Sequence, residues 1–139
     1  METNNAVLTP LERRRIAHDL HARSATVTTV EDLGPQLRRI TFTLEEGAAP
    51  VPFVLLAVGA HVKVAFPDPR TGSLNLPRVV DGRRQSDPDA PRPVLRDYTV
   101  RAVPDEQHVV LEFVIHGSGV ASNWAAQAAA GQHLGILGP

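Results

Sequence analysis

The sequence contains no cysteine, and this absence excludes several classes of site at once. Disulfide frameworks, thiolate zinc sites, cysteine-ligated iron–sulfur clusters and thiol nucleophiles all require that residue. The chain has 139 residues, which corresponds to one domain. A chain of this size buries roughly 68% of the surface that it exposes when unfolded, so it can form a core without disulfides or metal.

Aromatic residues and net charge are also scarce. Aromatics make up 4% of the chain and the formal net charge is −1. An oligonucleotide-binding barrel needs a basic groove with several exposed aromatic rings, so this class is disfavoured. The sequence has no run of 18 apolar residues that would cross a membrane, and its N-terminus lacks the pattern of a secretory signal. The predicted location is therefore cytoplasmic.

Six segments have the alternating apolar pattern of β-strands. In one of them, Ile40, Phe42 and Leu44 fall on one face and threonines and arginines on the other. Closing six strands into a barrel removes the exposed edges that an open sheet would leave. The predicted fold is an all-β, six-stranded antiparallel Greek-key barrel, with strands near residues 24–33, 37–45, 60–68, 96–103, 108–117 and 133–139.

A helix is predicted before the barrel. Thr9 as N-cap, Pro10 at the first helical position and Glu12 at the third form a capping box. We expect this helix to end near Ala22, which divides the chain into an N-terminal helical extension at residues 1–23 and a barrel domain at 24–139. His18 and His21 have the helical spacing of a metal pair, but no third ligand is evident, so no metal site is predicted.

Two segments interrupt the strand pattern. Residues 67–93 are dense in proline, aspartate, glycine and arginine, and are predicted to be irregular, either as a functional loop or as a disordered one. Residues 119–132 contain an alanine run that ends at Gly131, which predicts one short helix with a glycine stop before the last strand.

The turn into this second helix is a candidate binding site. His116 ends a strand, Gly117 and Gly119 allow a tight turn, and Ser122 and Trp124 lie near the start of the helix. A glycine-rich turn that enters a helix presents backbone N–H groups, as phosphate-binding sites do. A plain turn with a serine cap has the same residues, and both interpretations stand at this point.

The fourth predicted strand carries a second candidate group. Alternation places Arg96 and Tyr98 on one face, and Thr99 and Arg101 on the other. An arginine suits a phosphate, a tyrosine ring suits a planar ligand, and a threonine hydroxyl suits a polar edge. Equally, the arginine is typical of a surface, the tyrosine of barrel packing and the threonine of any strand.

Together these segments resemble a known family. "RDYTVR" resembles the R-x-Y-S/T flavin motif of ferredoxin-reductase-type barrels, and "GVASNW" resembles their G-x-x-S-x-W pyrophosphate motif. With "HVKVAFPDP" before them and "LEFVIHGSG" and "GILGP" around them, the order from about Ala25 to Pro139 is similar to that of the siderophore-interacting proteins. These proteins are FAD-dependent ferric-siderophore reductases of bacteria.

The resemblance implies FAD as cofactor and a role for each motif residue. Arg96 would contact the pyrophosphate, Tyr98 would stack near the isoalloxazine ring, and Thr99, the one residue assigned to catalysis, would hydrogen-bond near the flavin N5. Val100 and Arg101 would give backbone and adenine-side contacts, and four residues would cradle phosphate at the start of the helix: Gly117, Gly119, Ala121 and Ser122. His116 and Trp124 also belong to the cofactor-binding motif, with no particular contact assigned to them.

The resemblance also implies partners. Electrons would pass from NAD(P)H or ferredoxin through FAD to Fe(III) held by a siderophore, and the iron would be substrate. Family members usually continue into an α/β domain that carries the nicotinamide and siderophore sites, and because this chain stops at Pro139 that C-terminal domain is expected to be absent. The alternative is a non-catalytic barrel that binds a partner chain without turnover of its own. His61 and Lys63 share a face that is either solvated or close to the flavin or siderophore.

Overall fold

Six strands close into an antiparallel barrel, which confirms the predicted all-β architecture. The computed structural model describes residues 20–52 and 61–139. The barrel strands are β1 (His21–Gly34), β2 (Leu37–Leu44), β3 (His61–Phe66), β6 (Val94–Asp105), β7 (His108–Val114) and β8 (His133–Gly138). Their order around the barrel is β1-β2-β7-β6-β3-β8, and β8 pairs with β1 to close it. Outside the barrel are β4 (Arg78–Val80), β5 (Arg83–Gln85) and one helix, α1 (Val120–Ala126).

The interior of the barrel is filled by alternate residues of its strands, because successive side chains of a strand point to opposite faces. The apolar sets that alternation predicts are buried in β2, β3 and β7: Ile40, Phe42, Leu44, Val62, Val64, Phe66, Val109, Leu111 and Phe113. Their burial shows which face of each strand points inward. Because β6 pairs with β3, the same alternation shows which side chains of β6 share the inward face.

An aromatic cluster closes one end of the barrel, beneath α1. Trp124 of α1 lies 6.1 Å from Phe42, 5.8 Å from Phe66 and 5.9 Å from Phe113, measured between ring centroids. Tyr98 of β6 joins the same cluster, with its ring 4.7 Å from that of Phe113. The aromatic residues of the part of the chain that the structure describes are therefore concentrated where the helix covers the barrel.

The prediction of an irregular segment at 67–93 is wrong in part, because β4 and β5 form a hairpin within it. Asp81 and Gly82 connect the two strands, with φ values of 52° and 75°. Two consecutive residues at positive φ form the tight turn that matches the twist of a hairpin, and Asp-Gly is a preferred pair for it. The sequence "VVDGRR" carries this signal beside β-branched residues, but the surrounding prolines obscured it.

The helix of the alanine run is shorter than predicted. Helix α1 ends at Ala126, so the alanines at 128–130 lie beyond it. The Arg38 side chain explains the early end, since its Nη1 donates to the carbonyls of Ala125 at 2.9 Å and Ala126 at 3.1 Å. A guanidinium that takes the last carbonyls of a helix stabilises its C-terminus at that point. Gly131 follows with φ of 95° and leads into β8.

The first barrel strand begins earlier than predicted. β1 starts at His21, so His21 and Ala22 extend the sheet beside Gly138 and Leu137 of β8 and are not the end of a helix. Thr9, Pro10, Glu12 and His18 lie outside the described residues, so the helix predicted before the barrel stays a prediction, whereas His21 belongs to β1 and does not continue a helix from His18. Across residues 20–52 and 61–139, no helix is long and apolar enough to cross a membrane.

Candidate functional site

The barrel opens between β6 and β7 at the end covered by α1. β6 and β7 pair only from Val100 toward their connecting turn, with Val100 opposite Leu111. The preceding part of β6, residues 94–99, is paired along its other edge with β3. Among the described residues, no strand pairs with the β7-facing edge of this part. The edge therefore presents backbone N–H and C=O groups that a bound molecule can use.

Arg96 and Tyr98 lie on the same side of β6, as alternation predicts. Their cross-strand partners in β3 are Val64 and Val62, both buried. Tyr98 is half-buried and packs its ring against Phe113, so burial raises the pKa of its phenol, while the nearby Arg96 charge acts in the opposite direction. The phenol therefore stays neutral at neutral pH and offers a flat ring with a hydroxyl at the edge of the opening.

The Arg96 guanidinium is exposed beside this opening. Its Nη1 donates to the carbonyl of the adjacent Leu95 at 2.8 Å. Over residues 20–52 and 61–139, no carboxylate lies within salt-bridge distance of it. A guanidinium in this state keeps most of its five donors for an external anion, and its planar fork suits phosphate oxygens.

Thr99, Val100 and Arg101 have three different environments. Thr99 is exposed and lies opposite His61 in β3. Val100 is buried in the core, so only its backbone can reach a ligand. Arg101 points outward and its Nε lies 3.5 Å from Oε2 of Glu112, a carboxylate that also binds Arg39. Thr99 therefore lies at the end of the part of β6 that no described strand pairs with on its β7 side, with its side chain on the outer face, and the Arg101 side chain is held in an ion pair.

His61 and Lys63 lie on the outer face of β3, and both are exposed. Nζ of Lys63 donates to Oδ1 of Asp97 at 2.6 Å, and this hydrogen bond lowers the pKa of the Asp97 carboxyl. The charge of Lys63 is thus partly compensated within the sheet. This arrangement agrees with the solvated alternative for the pair, although His61 remains next to Thr99.

The turn between β7 and α1 is organised by the Ser122 hydroxyl. Its oxygen accepts hydrogen bonds from the backbone amides of His116 at 2.9 Å and Gly117 at 3.3 Å, and the side chain is only 3% exposed. Gly117 and Gly119 have φ values of 82° and 89°, in the left-handed region that favours glycine. The serine therefore faces the turn that precedes the helix. The hydroxyl does not cap α1, and among the described residues no side chain does.

Replacing Ser122 with alanine is expected to destabilise the protein by about 1–3 kcal/mol, because two part-buried amides lose their acceptor. The measurement is the free energy of unfolding from urea titration. Ser118→Ala is the matched control, since Ser118 is exposed and makes only a 3.4 Å contact with Nδ1 of His116. Equal effects of the two substitutions would contradict the role given to Ser122.

Trp124 belongs to the hydrophobic core. It is 8% exposed and its ring packs against phenylalanines, while Ala121 beside it is partly buried. The resemblance places Ala121 and Trp124 in the cofactor motif. In the structure, the ring of Trp124 packs in the core and helps to close the end of the barrel.

Arg23 is a buried residue whose importance the sequence analysis missed. It is 1% exposed, and its Nε donates to the carbonyl of Ala49 at 2.6 Å. Its Nη2 donates to the carbonyls of Pro50 and Pro139. The side chain ties the end of β8 to the segment after β2, and burial lowers its pKa. Arg23 alternates with Ala25 and Val27 along β1, so the sequence pattern already placed it on the face that points to the interior.

The opening has the features that a dinucleotide cofactor requires. A Cβ built on Gly117 meets nothing within 4 Å, and one built on Gly119 meets only Cε1 of His116 at 4.0 Å, so there is space above the turn. The free guanidinium of Arg96 supplies a cation, the Tyr98 ring supplies a flat surface, and the edge of β6 supplies backbone groups. A ligand with a phosphate group and a planar ring fits this set of donors.

Comparison with known proteins now identifies the ligand class. A family model described as "Siderophore-interacting FAD-binding domain" matches residues 26–139. The chain belongs to this family. The cofactor of the siderophore-interacting FAD-binding domain is FAD, so the donor set above agrees with the family.

Three relatives illustrate the similarity. The NADPH-dependent ferric-chelate reductase of Escherichia coli strain K12 is 34% identical over 131 residues, which are 94% of this chain and 50% of that protein. A ferric vibriobactin reductase of Vibrio cholerae is 39% identical over 83 residues, covering 58% and 30% respectively. The crystal structure of a siderophore utilization protein from T. fusca matches with a TM-score of 0.73 and 34% identity, over 88% of this chain and 46% of that one. The chain thus spans half or less of the length of these relatives.

Proposed function

We propose that this barrel is the flavin-binding part of a ferric-siderophore reductase. Electrons from NAD(P)H or ferredoxin would pass through FAD to siderophore-bound Fe(III), and the iron would leave as Fe(II), which the chelator binds more weakly. The proposal is supported by the two relatives named as ferric reductases and by one structural observation, the edge of β6 at residues 94–99 that no described strand pairs with on its β7 side and that carries the exposed Arg96. We also propose a cytoplasmic location, where these electron donors occur.

The residues of the opening would divide the work of holding FAD. Arg96 would donate to the pyrophosphate, and Gly117, Gly119 and Ala121 would let the phosphates approach the backbone of the turn. Ser122 would act indirectly, because its hydroxyl holds the backbone amides of His116 and Gly117 in place. Trp124 would act in the same way, since it holds α1 against the core. Val100 would contribute backbone groups only. Arg101 would contribute least to binding FAD, because its side chain is held in an ion pair with Glu112.

Tyr98 and Thr99 would orient the reactive ring. The Tyr98 ring has a rigid support in Phe113 and would lie against the isoalloxazine face. Thr99 would donate its hydroxyl near the flavin N5, where a hydrogen bond orients the ring and affects its electronics. Bound FAD supplies the conversion of a two-electron donor into single-electron steps. The protein supplies binding, orientation and the exclusion of water.

The electron donor and the siderophore would engage surfaces beyond this barrel. The chain covers only half of the ferric-chelate reductase that it matches, so a further domain or a partner chain would complete the reaction. This chain would thus hold the flavin and its immediate surroundings, and the electron donor would dock on another domain or chain.

We expect the purified chain to retain FAD, because the opening supplies a cation, a ring surface and backbone donors. The measurement is the visible absorption spectrum before and after adding FAD and desalting. The loaded chain, reduced photochemically without oxygen and mixed with a ferric siderophore, is then expected to release Fe(II) that ferrozine traps, at a rate above that of free FAD. A folded chain that retains no flavin would contradict the proposal and favour the non-catalytic alternative. Retained flavin without faster iron release would contradict only the reductase step.

A further inference from the structure

Arg38 lies on the inward face of β2 and reaches the C-terminal end of α1. It alternates with Ile40 and Phe42, both of which are fully buried. An arginine at the end of such an apolar face can pack its stem on the core while its guanidinium contacts polar groups. The contacts of this guanidinium therefore show what the side chain holds.

The guanidinium of Arg38 joins three elements of the structure. Its Nε donates to Oδ1 of Asp32 at 2.7 Å, and Asp32 in β1 is also its cross-strand neighbour. Its Nη1 donates to the carbonyls of Ala125 at 2.9 Å and Ala126 at 3.1 Å, and lies 3.5 Å from that of Ala128. One planar group with several fixed donors thus holds the end of α1 against β1 and β2.

Helix α1 needs support from the rest of the protein. It has seven residues, and an isolated helix shorter than about 12 residues is marginal in water. Its last turn has no basic residue of its own, and within the described ranges no side chain caps its start. Trp124 holds the middle of the helix through its packing in the core. Arg38 supplies the positive charge that the last turn lacks, where a cation stabilises the helix dipole.

The position of α1 in turn determines the position of the glycine turn before it. Ser122, near the start of the helix, accepts hydrogen bonds from the backbone amides of His116 and Gly117. Ser122 and Ala125 are less than one helical turn apart, about 4.5 Å along the helix axis. A shift or fraying of the helix at Ala125 therefore moves the hydroxyl that holds the turn.

We propose that Arg38 is a positioning residue for the phosphates of the flavin. It acts through α1 and Ser122, which hold the backbone amides of the turn that the phosphates would approach. The inference rests on the proposed function for the identity of the ligand, whereas the coupling between Arg38 and the turn is a property of the flavin-free chain. The coupling requires the planar fork of an arginine, because Nε and Nη1 contact Asp32 and the helix at the same time.

Amide hydrogen exchange in the flavin-free chain tests the coupling between Arg38 and the turn. Arg38→Met keeps a long stem without the guanidinium. It is expected to speed exchange at least about threefold, both in the last turn of α1 and at the amides of His116 and Gly117. Arg39→Met is the matched control, because Arg39 is the next residue of β2 and its Nη2 lies 2.7 Å from Oε2 of Glu112. This control is expected to leave the exchange of both amides unchanged.

The Kd for FAD measures the consequence for the cofactor. Arg38→Met is expected to raise it about three- to tenfold, because the amides of the turn lose the support that positions them, while Arg39→Met leaves it unchanged. Arg38→Lys keeps a positive charge but cannot contact Asp32 and the helix carbonyls together, so it is expected to recover only part of the loss. Arg38→Met and Ser122→Ala act on the same turn, so the double variant should lose less affinity than the product of the two single losses.

Three results would overturn the inference. They are faster exchange confined to residues 125–128, an unchanged Kd for FAD in folded Arg38→Met, and losses in the double variant that simply multiply. Circular dichroism and the thermal midpoint establish that each variant is folded, and Arg38→Lys takes the place of Arg38→Met in both measurements if the methionine variant does not fold. Failure of the proposed function has a different outcome, because a wild-type chain that binds no FAD refutes the flavin site and leaves the exchange measurement to decide on the coupling.

Discussion

Replacing Phe113 by alanine is expected to lower the free energy of unfolding by about 3–5 kcal/mol, the usual range for a phenylalanine removed from a core. Phe113 is fully buried, and its ring lies 6.3 Å from that of Phe42, 4.7 Å from Tyr98 and 5.9 Å from Trp124. Among the rings that the structure describes, it alone contacts β2, β6 and α1 together. The loss therefore leaves a cavity where three elements meet.

The neighbouring residue provides the control. Val114 is 60% exposed and belongs to the same strand, so Val114→Ala is expected to change the free energy of unfolding by less than about 0.5 kcal/mol. Urea titration followed by circular dichroism measures both variants without relying on the fluorescence of Trp124. Similar small values for the two variants would show that the aromatic cluster does not hold the barrel end together.

Phe113→Ala also tests how the core supports the cofactor site. Tyr98 rests on Phe113, and without that ring the phenol loses its packing partner at the edge of the opening. We expect weaker FAD binding by the variant even at temperatures where it is folded. Such coupling is typical of sites whose contacting side chains are held by a packed layer behind them.

The barrel was predictable because its signal is local. Alternation in β2, β3 and β7 reports directly which residues face the interior, and six such segments leave few ways to bury them. The register between strands is not local. The pairing of Val100 with Leu111, which leaves residues 94–99 of β6 open toward β7, follows from the twist and bulges of the closed barrel. The sequence therefore predicted the strand of the site, whereas the opening beside it required the structure.

Side-chain partners were the other part that the sequence did not determine. Ser122 was expected to contact phosphate, yet its oxygen accepts from His116 and Gly117, because the glycine turn folds back over the helix start. The Arg101 side chain is held by Glu112 across the sheet. The hydrogen-bond and ion-pair partners of a side chain depend on which groups meet after folding, whereas alternation predicts only the face on which each residue lies. Arg96 is exposed beside the opening, and its contact with the pyrophosphate stays a prediction.

Arg96→Ala is expected to weaken FAD binding by roughly 10- to 150-fold, since a hydrogen bond to a charged group contributes about 1.5–3 kcal/mol. The guanidinium is exposed and, within residues 20–52 and 61–139, donates only to the carbonyl of Leu95, so its removal leaves no buried group of that part unsatisfied. The free energy of unfolding without FAD should stay within about 0.5 kcal/mol of the wild-type value. Titration of the flavin-free chain with FAD, followed by flavin fluorescence, measures the affinity.

The comparison with two further variants separates the charge from its geometry. Arg83→Ala removes an exposed arginine from β5 and should leave the Kd for FAD unchanged, which accounts for any general effect of net charge. Arg96→Lys keeps the charge but has no planar fork, so we expect it to restore only part of the affinity. Full restoration by lysine would indicate simple attraction of the phosphates. Unchanged affinity in Arg96→Ala would remove Arg96 from the site, and the open edge of β6 would then bind FAD through its backbone groups alone.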